Sequence, residues 1–465
     1  MRSVFLFAAL TGAEIVHHAP VDNEFSSLEQ VFNASRGTNG GVYNSSDVPD
    51  EEYGIYNFCN MPHVRKDHYP QVDTSKYKLQ FVEVSHRHHK RTPYATNCYP
   101  KEALVLYCDD ALNNYYSEFR TQRESNDTLK ISWANYQNPN NPFNYIDNGY
   151  NGTCQFPQIS YAGLEDSYQH GLDIYGVYGK LLDFLPETYN SEHVNFRVTN
   201  NVITSQVASA LIKALYPEET GIDVKIEVDG FDALEPSYSC DFADDLYSEI
   251  RSTPEWEQHL KNASDLYSEL DNITGVDPKA SGWHVSFDHY FDNTAFRLCH
   301  GYDLACNADN SSLCMTEDQA EQIFRLGDYE YNYTWRINEN STLYAATDYG
   351  AYFNELKHRL VDKTTGASAL KYSHNVIHDG SISGMLGFLQ INYLRWPGMG
   401  SEVVFELYEG LKDSKWYVRT LYGGQVLETT GPLGTIDMIP LEKLVDYIES
   451  MIGENAETLV DYCTS

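Results

Sequence analysis

Leu79-Gln-Phe-Val-Glu-Val84 runs directly into Ser85-His-Arg-His-His-Lys-Arg-Thr-Pro93, and the reading of this junction decides the fold. The first stretch has the β-branched and aromatic content of a buried strand. The second gathers two arginines and three histidines at the end of that strand. Guanidinium groups at 87 and 91 can fork onto an oxyanion, and a neutral imidazole beside them can attack an electrophile. A solvated basic loop or a pH-sensitive ion-pair patch would look similar. His378-Asp379 tips the balance, because it also follows a strand-like run, Leu370 to Ile377, and precedes a helical pattern.

That pattern places Ile382, Met385, Leu386 and Leu389 at i, i+3, i+4 and i+7, a helix packed back onto a sheet. Val194 to Thr199 reads as another strand, and Val207, Ala208, Leu211 and Leu215 form the apolar stripe of a helix over Ser205 to Leu215. Glu402 to Glu409 and Trp416 to Tyr422 alternate as an antiparallel hairpin, and Leu441 to Ile452 is an amphipathic helix. Ala103 to Arg120 has helical spacing, and Asn126 to Asn151, rich in Asn, Pro and Gly, reads as a long loop. Strand, reactive loop and helix, repeated at distant positions, predict an open mixed α/β sheet flanked by helices. Ligands of such sheets bind beyond the carboxyl ends of the strands, where both clusters lie.

The sequence divides into a signal peptide over 1–17, a polar arm over 18–75, an α/β catalytic domain over 76–204 and 346–465, and an inserted, mostly helical cap over 205–345. At 465 residues, with 42% hydrophobic and 14% aromatic residues, the chain can bury a substantial core. Its 67 acidic and 32 basic side chains give a net charge of −35, a field that repels nucleic acid and anionic membranes. A small-molecule substrate is the expected partner. Met1-Arg-Ser-Val-Phe-Leu-Phe-Ala-Ala-Leu-Thr-Gly-Ala13 fits a secretory signal and is too short to span a membrane. Asn-x-Ser/Thr sequons at Asn33, Asn44, Asn126, Asn151, Asn262, Asn272, Asn310, Asn332 and Asn340 predict an exported, N-glycosylated protein. Nine cysteines without zinc-ligand spacing then predict up to four disulfides and one remaining thiol, with a local bridge among Cys299, Cys306 and Cys314.

Arg87-His88-His89-Lys90-Arg91-Thr92-Pro93 resembles the Arg-His-Gly-x-Arg-x-Pro signature of the histidine acid phosphatases, branch 2 of the histidine phosphatase superfamily. His378-Asp379 resembles that family's His-Asp element, and Trp396 to Tyr422 its C-terminal hairpin. The likeness is to a divergent, fungal-type secreted member. It implies a phosphoglycerate-mutase-like fold and hydrolysis of phosphomonoesters, with no cofactor and no metal. By the same resemblance His88 is the nucleophile, Arg87, Arg91 and His378 hold the phosphate, and Asp379 protonates the leaving oxygen. Imidazole attack, guanidinium stabilisation of the equatorial oxygens and acid assistance to a poor alkoxide form a coherent set.

Two departures leave an alternative open. The signature glycine is His89, which either narrows the pocket or adds a contact to substrate. Where the family carries a third phosphate-binding arginine, alignment on Arg197-Val-Thr-Asn200 finds Ile203. A charged hydrogen bond is worth about 1.5–3 kcal/mol, so its loss weakens phosphate binding by about 10- to 200-fold unless Arg197 substitutes. The alternative is a repurposed enzyme of the same fold acting on an uncharged, carbohydrate-like substrate. His86 and His88, two apart on a strand and about 6.6 Å from each other, could share an ion, but a hydrogen-bonded core histidine is the expectation. His374 and His378 would be about 13 Å apart on a strand, too far to share one. His170 is expected to pack and Lys90 to be solvated.

Overall fold

A computed structural model describes residues 15–33, 53–111, 135–136, 140, 142 and 151–464. The expected signal peptide therefore falls almost wholly outside the described residues, as do Asn44, Asn126 and most of the loop expected over 126–151. At the centre is the predicted mixed α/β sheet. Its strands are β1 (Tyr77–Arg87), β2 (Val194–Val198), β3 (Val224–Ile226), β4 (Tyr372–Ile377), β5 (Glu402–Gly410), β6 (Trp416–Tyr422) and β7 (Gln425–Val426). They lie in the order β7-β6-β5-β1-β4-β2-β3, with Ile439–Pro440 paired to β6. β1, β4, β2 and β3 run parallel, whereas β5 is antiparallel to both β1 and β6.

Helices cover both faces. They include α1 (Tyr161–Ile174), α2 (Val202–Leu215), α3 (Asp288–Cys299), α4 (Glu317–Asn332), α5 (Ser341–Thr365), α6 (Asp379–Phe388) and α7 (Leu441–Ile452). Alternation along each strand sorts the side chains between two cores. Val82, Val84, Phe196, Val198, Tyr372 and Val404 pack with Ile174, Val207 and Leu211 of α1 and α2. Phe81, Ile377, Phe405 and Leu407 pack on the opposite face with Phe291, Phe324, Phe353, Met385 and Ile448 of α3 to α7. The helix expected from 205 begins at Val202, where the Asn201 side chain accepts the Ile203 N–H as a cap.

The described part of Ala103 to Arg120, residues 103–111, holds no α-helix, only a 3-10 turn at Asp109–Ala111, and 112–120 lie outside the described residues. Val105–Leu106 pairs with Asn151–Gly152, and Cys108 is bridged to Cys154, so a disulfide and a short ladder override the local spacing. Three further disulfides join Cys59 to Cys299, Cys240 to Cys463, and Cys306 to Cys314, the last being the local bridge expected. Cys98 is the buried free thiol, pushed up to about 12 by burial and then by Asp292 and Glu102. Asn332 is fully buried and donates to the Phe25 carbonyl, so this sequon cannot receive a glycan in the folded chain. Among the described residues no helix is long and apolar enough to cross a membrane.

Candidate active site

The ends of β1 and β4 lie side by side, with Arg87 level with Ile377. This register carries the two sequence clusters, nearly three hundred positions apart, to one edge of the sheet. The His88 N–H bonds the Ile377 carbonyl, and the ring centroids of His88 and His378 are 5.4 Å apart. His88 Nδ1 donates to the carbonyl of His89 at 2.9 Å. That bond fixes the tautomer and leaves Nε2 with its lone pair. Burial first, then Arg91, Arg87 and His378, hold the imidazole well below its ordinary range, so it is neutral.

Arg87 and Arg91 are both buried. Arg87 donates to the Pro397 carbonyl at 2.5 Å and pairs with Asp379 Oδ2 at 3.0 Å. Arg91 reaches Asp292 at 3.1 and 3.2 Å and stacks over Tyr94. Each guanidinium retains a buried Nε–H with no acceptor among the described residues. An oxyanion beside His88 would satisfy these donors.

Asp379 is the first residue of α6, not its cap; its Oδ1 accepts the Gly380 N–H at 2.9 Å, which leaves Oδ2 for the partners outside the helix. Besides Arg87, its Oδ2 accepts the indole N–H of Trp396 at 2.8 Å. Burial alone would raise its pKa, but Arg87, the Trp396 hydrogen bond, Arg91 and His378 outweigh it and hold the group below the usual carboxylate range. His378 Nε2 meets Thr199 Oγ1 at 2.9 Å and Glu235 Oε2 at 3.2 Å. Asp288, whose side chain is 46% open to solvent, is pushed up to about 7 by burial and then by Asp292 and Asp379, a shift that contact with water moderates.

Several sequence expectations change here. His89 is fully buried and turns toward α1, where its Nε2 meets His170 Nδ1 at 3.2 Å. Gly400, with φ +71°, provides the space: a Cβ there would sit 2.6 Å from His89 Cε1. Lys90 is not solvated; it is buried in an ion pair with Asp166 of α1 at 2.7 Å. Ile203 is buried in the apolar core, and Arg197 is held by Glu227, Asp232 and Glu355, so neither supplies a third guanidinium. Asp288, Asp292 and Glu235 carried no motif in the sequence, and only packing brings them to His378 and Arg91. Thr199, in the segment aligned at Arg197-Val-Thr-Asn200, instead follows β2 and is placed beside His378 by strand register.

The sequence model of the histidine phosphatase superfamily (branch 2) matches residues 78–423. Counting factor 60 of Dictyostelium discoideum is 21% identical over 418 residues, 86% of this chain and 91% of that protein. Human 2-phosphoxylose phosphatase 1 is 22% identical over 434 residues, covering 90% and 87% respectively. Among solved structures, the phytase from D. castellii superposes with a TM-score of 0.50 over 92% of this chain and 94% of that one, at 14% identity. That last likeness is one of fold.

Proposed function

This chain belongs to branch 2 of the histidine phosphatase superfamily and is an acid phosphatase-like hydrolase, and from that premise we propose a reaction course and a substrate class. His88 Nε2 attacks the phosphorus of a phosphomonoester as the P–O bond to the leaving group breaks. The departing alkoxide takes a proton from Asp379. Water then attacks phospho-His88 and gives a proton back to the Asp379 carboxylate; inorganic phosphate leaves and the imidazole is restored. Arg87, Arg91 and His378 hold the phosphoryl oxygens throughout. His89 takes no part, since its ring faces α1.

The observation that carries this reading is the pair of buried, acceptor-less Nε–H groups flanking a neutral His88. A resting Asp379 held ionised by Arg87 is compatible with an acid role if the substrate brings the proton. A phosphomonoester monoanion does so, and its negative charge takes over Arg87 and lets the Asp379 pKa rise.

Substrate class follows from the charge count around the cleft. Asp288, Asp292 and Glu235 stand beside two arginines, and Ile203 offers no third. This balance favours one phosphoryl group on an otherwise neutral molecule over a polyanion. A relative named 2-phosphoxylose phosphatase makes a singly phosphorylated sugar the first candidate, and it keeps the carbohydrate reading in the form of a sugar leaving group. Four disulfides support an exported protein working in an oxidising medium. The test is turnover of p-nitrophenyl phosphate near pH 5, with vanadate inhibition and trapping of a base-stable, acid-labile phosphoenzyme. A folded protein that is silent in all three refutes the proposal.

A further inference from the structure

Behind the nucleophile loop, on the α1 side of the sheet, three imidazoles converge that the phosphoryl chemistry does not use. They are His86 on β1, His89 just beyond it and His170 on α1, all fully buried. Their ring centroids are 4.7 to 5.6 Å apart, and one nitrogen from each lies within 4.8 Å of the others.

Hydrogen bonds settle which nitrogens carry lone pairs. His86 Nδ1 bonds the Arg87 carbonyl at 2.8 Å, and a carbonyl can only accept, so Nδ1 is protonated and Nε2 is bare. His86 Nε2 has no partner among the described residues. His170 Nε2 bonds Glu402 Oε2 at 3.0 Å; with Glu402 ionised the carboxylate accepts, the proton sits on Nε2 and Nδ1 is bare. That bare nitrogen faces His89 Nε2 at 3.2 Å, while His89 Nδ1 has no partner among the described residues. As a purely hydrogen-bonded core the arrangement is poor, because two buried ring nitrogens are unsatisfied at about 1–3 kcal/mol each.

We propose that His86, His89 and His170 form a binding site for one Zn²⁺-like transition-metal ion that ties the nucleophile loop to α1. Three neutral imidazoles suit zinc, and the 3.2 Å between His89 Nε2 and His170 Nδ1 matches the roughly 3.3 Å expected of two nitrogens on one tetrahedral ion. Two ligands also have the outer contacts that metal-bound histidines need. The Arg87 carbonyl orients His86, and the Glu402 carboxylate, itself held by the Val64 N–H at 2.7 Å, orients His170. On binding, neutral His89 moves its proton from Nε2 to Nδ1, so no net proton is released. This departs from the sequence expectation of no metal. It gives His89, which stands in place of the signature glycine, a role outside the substrate cleft, and it does not depend on the reaction proposed above.

The test uses the full chain, produced in zinc-supplemented medium with any affinity tag removed, and also refolded in the presence of Co²⁺ because the site is closed to solvent. Elemental analysis after gel filtration should find one equivalent of zinc, and the Co²⁺ form should show intense tetrahedral ligand-field absorption that zinc abolishes. H89G and H170Q should each weaken binding by at least about 100-fold, and E402Q by about 10- to 100-fold. Near-UV circular dichroism checks that the variants fold; if H170Q does not, H89G carries the comparison. A wild-type protein that takes up no metal by either route overturns the proposal, as does uptake that H89G leaves unchanged.

Discussion

Replacing Asp379 by Asn separates the two jobs assigned to this carboxyl. As general acid it should matter only when the leaving oxygen is a poor one. Such assistance is worth about 10²–10⁴-fold, or about 3–5 kcal/mol of barrier. D379N should therefore lose that factor in kcat on an alkyl or sugar phosphate and less than about tenfold on p-nitrophenyl phosphate. The same substitution removes a negative charge 3.0 Å from Arg87 while keeping an oxygen for the Trp396 indole. Phosphate no longer competes with a carboxylate for that guanidinium. Recovering even about 1 kcal/mol there tightens binding about fivefold, seen as a lower vanadate inhibition constant. Steady-state kinetics on the two ester classes, with vanadate titration of each enzyme, reads both effects. Equal losses on aryl and alkyl esters, or weaker vanadate binding, would refute the assignment of acid and of Arg87's competing partner together.

H88A should abolish the acid-labile phosphoenzyme and turnover on both ester classes, measured by quenched-flow trapping; near-wild-type activity would remove His88 as nucleophile. Because Arg87 and its neighbours hold Asp379 below the usual carboxylate range, the proton must arrive on substrate. kcat/KM for alkyl esters should then fall about tenfold per pH unit above the second phosphate ionisation near pH 6, less steeply for aryl esters, in a pH–rate series. Asp348 is pushed up to about 7 by burial and then by Asp244, so its ionised form is disfavoured in the fold. The resulting stability is present below about pH 4 and lost as pH rises toward 7. D348N should melt with the wild type at pH 4 and above it at pH 8, by a few kcal/mol at most, in thermal melts. Cys98 should resist thiol reagents under native conditions and react on unfolding, in a timed alkylation assay.

The strand at Tyr77–Arg87 was legible from its dense β-branched and aromatic run, since it and Tyr372–Ile377 are buried on both faces and show no alternation in exposure. Leu441–Ile452 was legible because period 3.6 survives where one face is buried. The segment after Ala103 was not, since its helical spacing is overridden by Cys108–Cys154, a covalent partner 46 residues away that periodicity cannot register. Lys90 fails for the same reason: a lysine in a basic run reads as solvated until Asp166 on another element is placed 2.7 Å from it. What the local sequence encodes is secondary structure and the reactive loop. Partners supplied by distant elements exist only after folding.

That distinction explains how the site came out. Arg87, His88, Arg91, His378 and Asp379 sit on the terminal residues of two adjacent parallel strands or just beyond them, so strand register alone brings them together. Asp288, Asp292 and Glu235 reach the site on segments whose docking no motif announces, yet the proposed limit on substrate charge rests on them. His89 shows the limit from the other side. Read as a line of sequence it belongs with the proposed catalytic residues around it; read in three dimensions, the absent side chain of Gly400 and the bare nitrogen of His170 draw its ring to the opposite side of the loop. One backbone segment thus turns His88 toward His378 and turns His86 and His89 toward His170. Constraining the second cluster, by an ion or by hydrogen bonds, fixes the loop that carries His88, the proposed nucleophile.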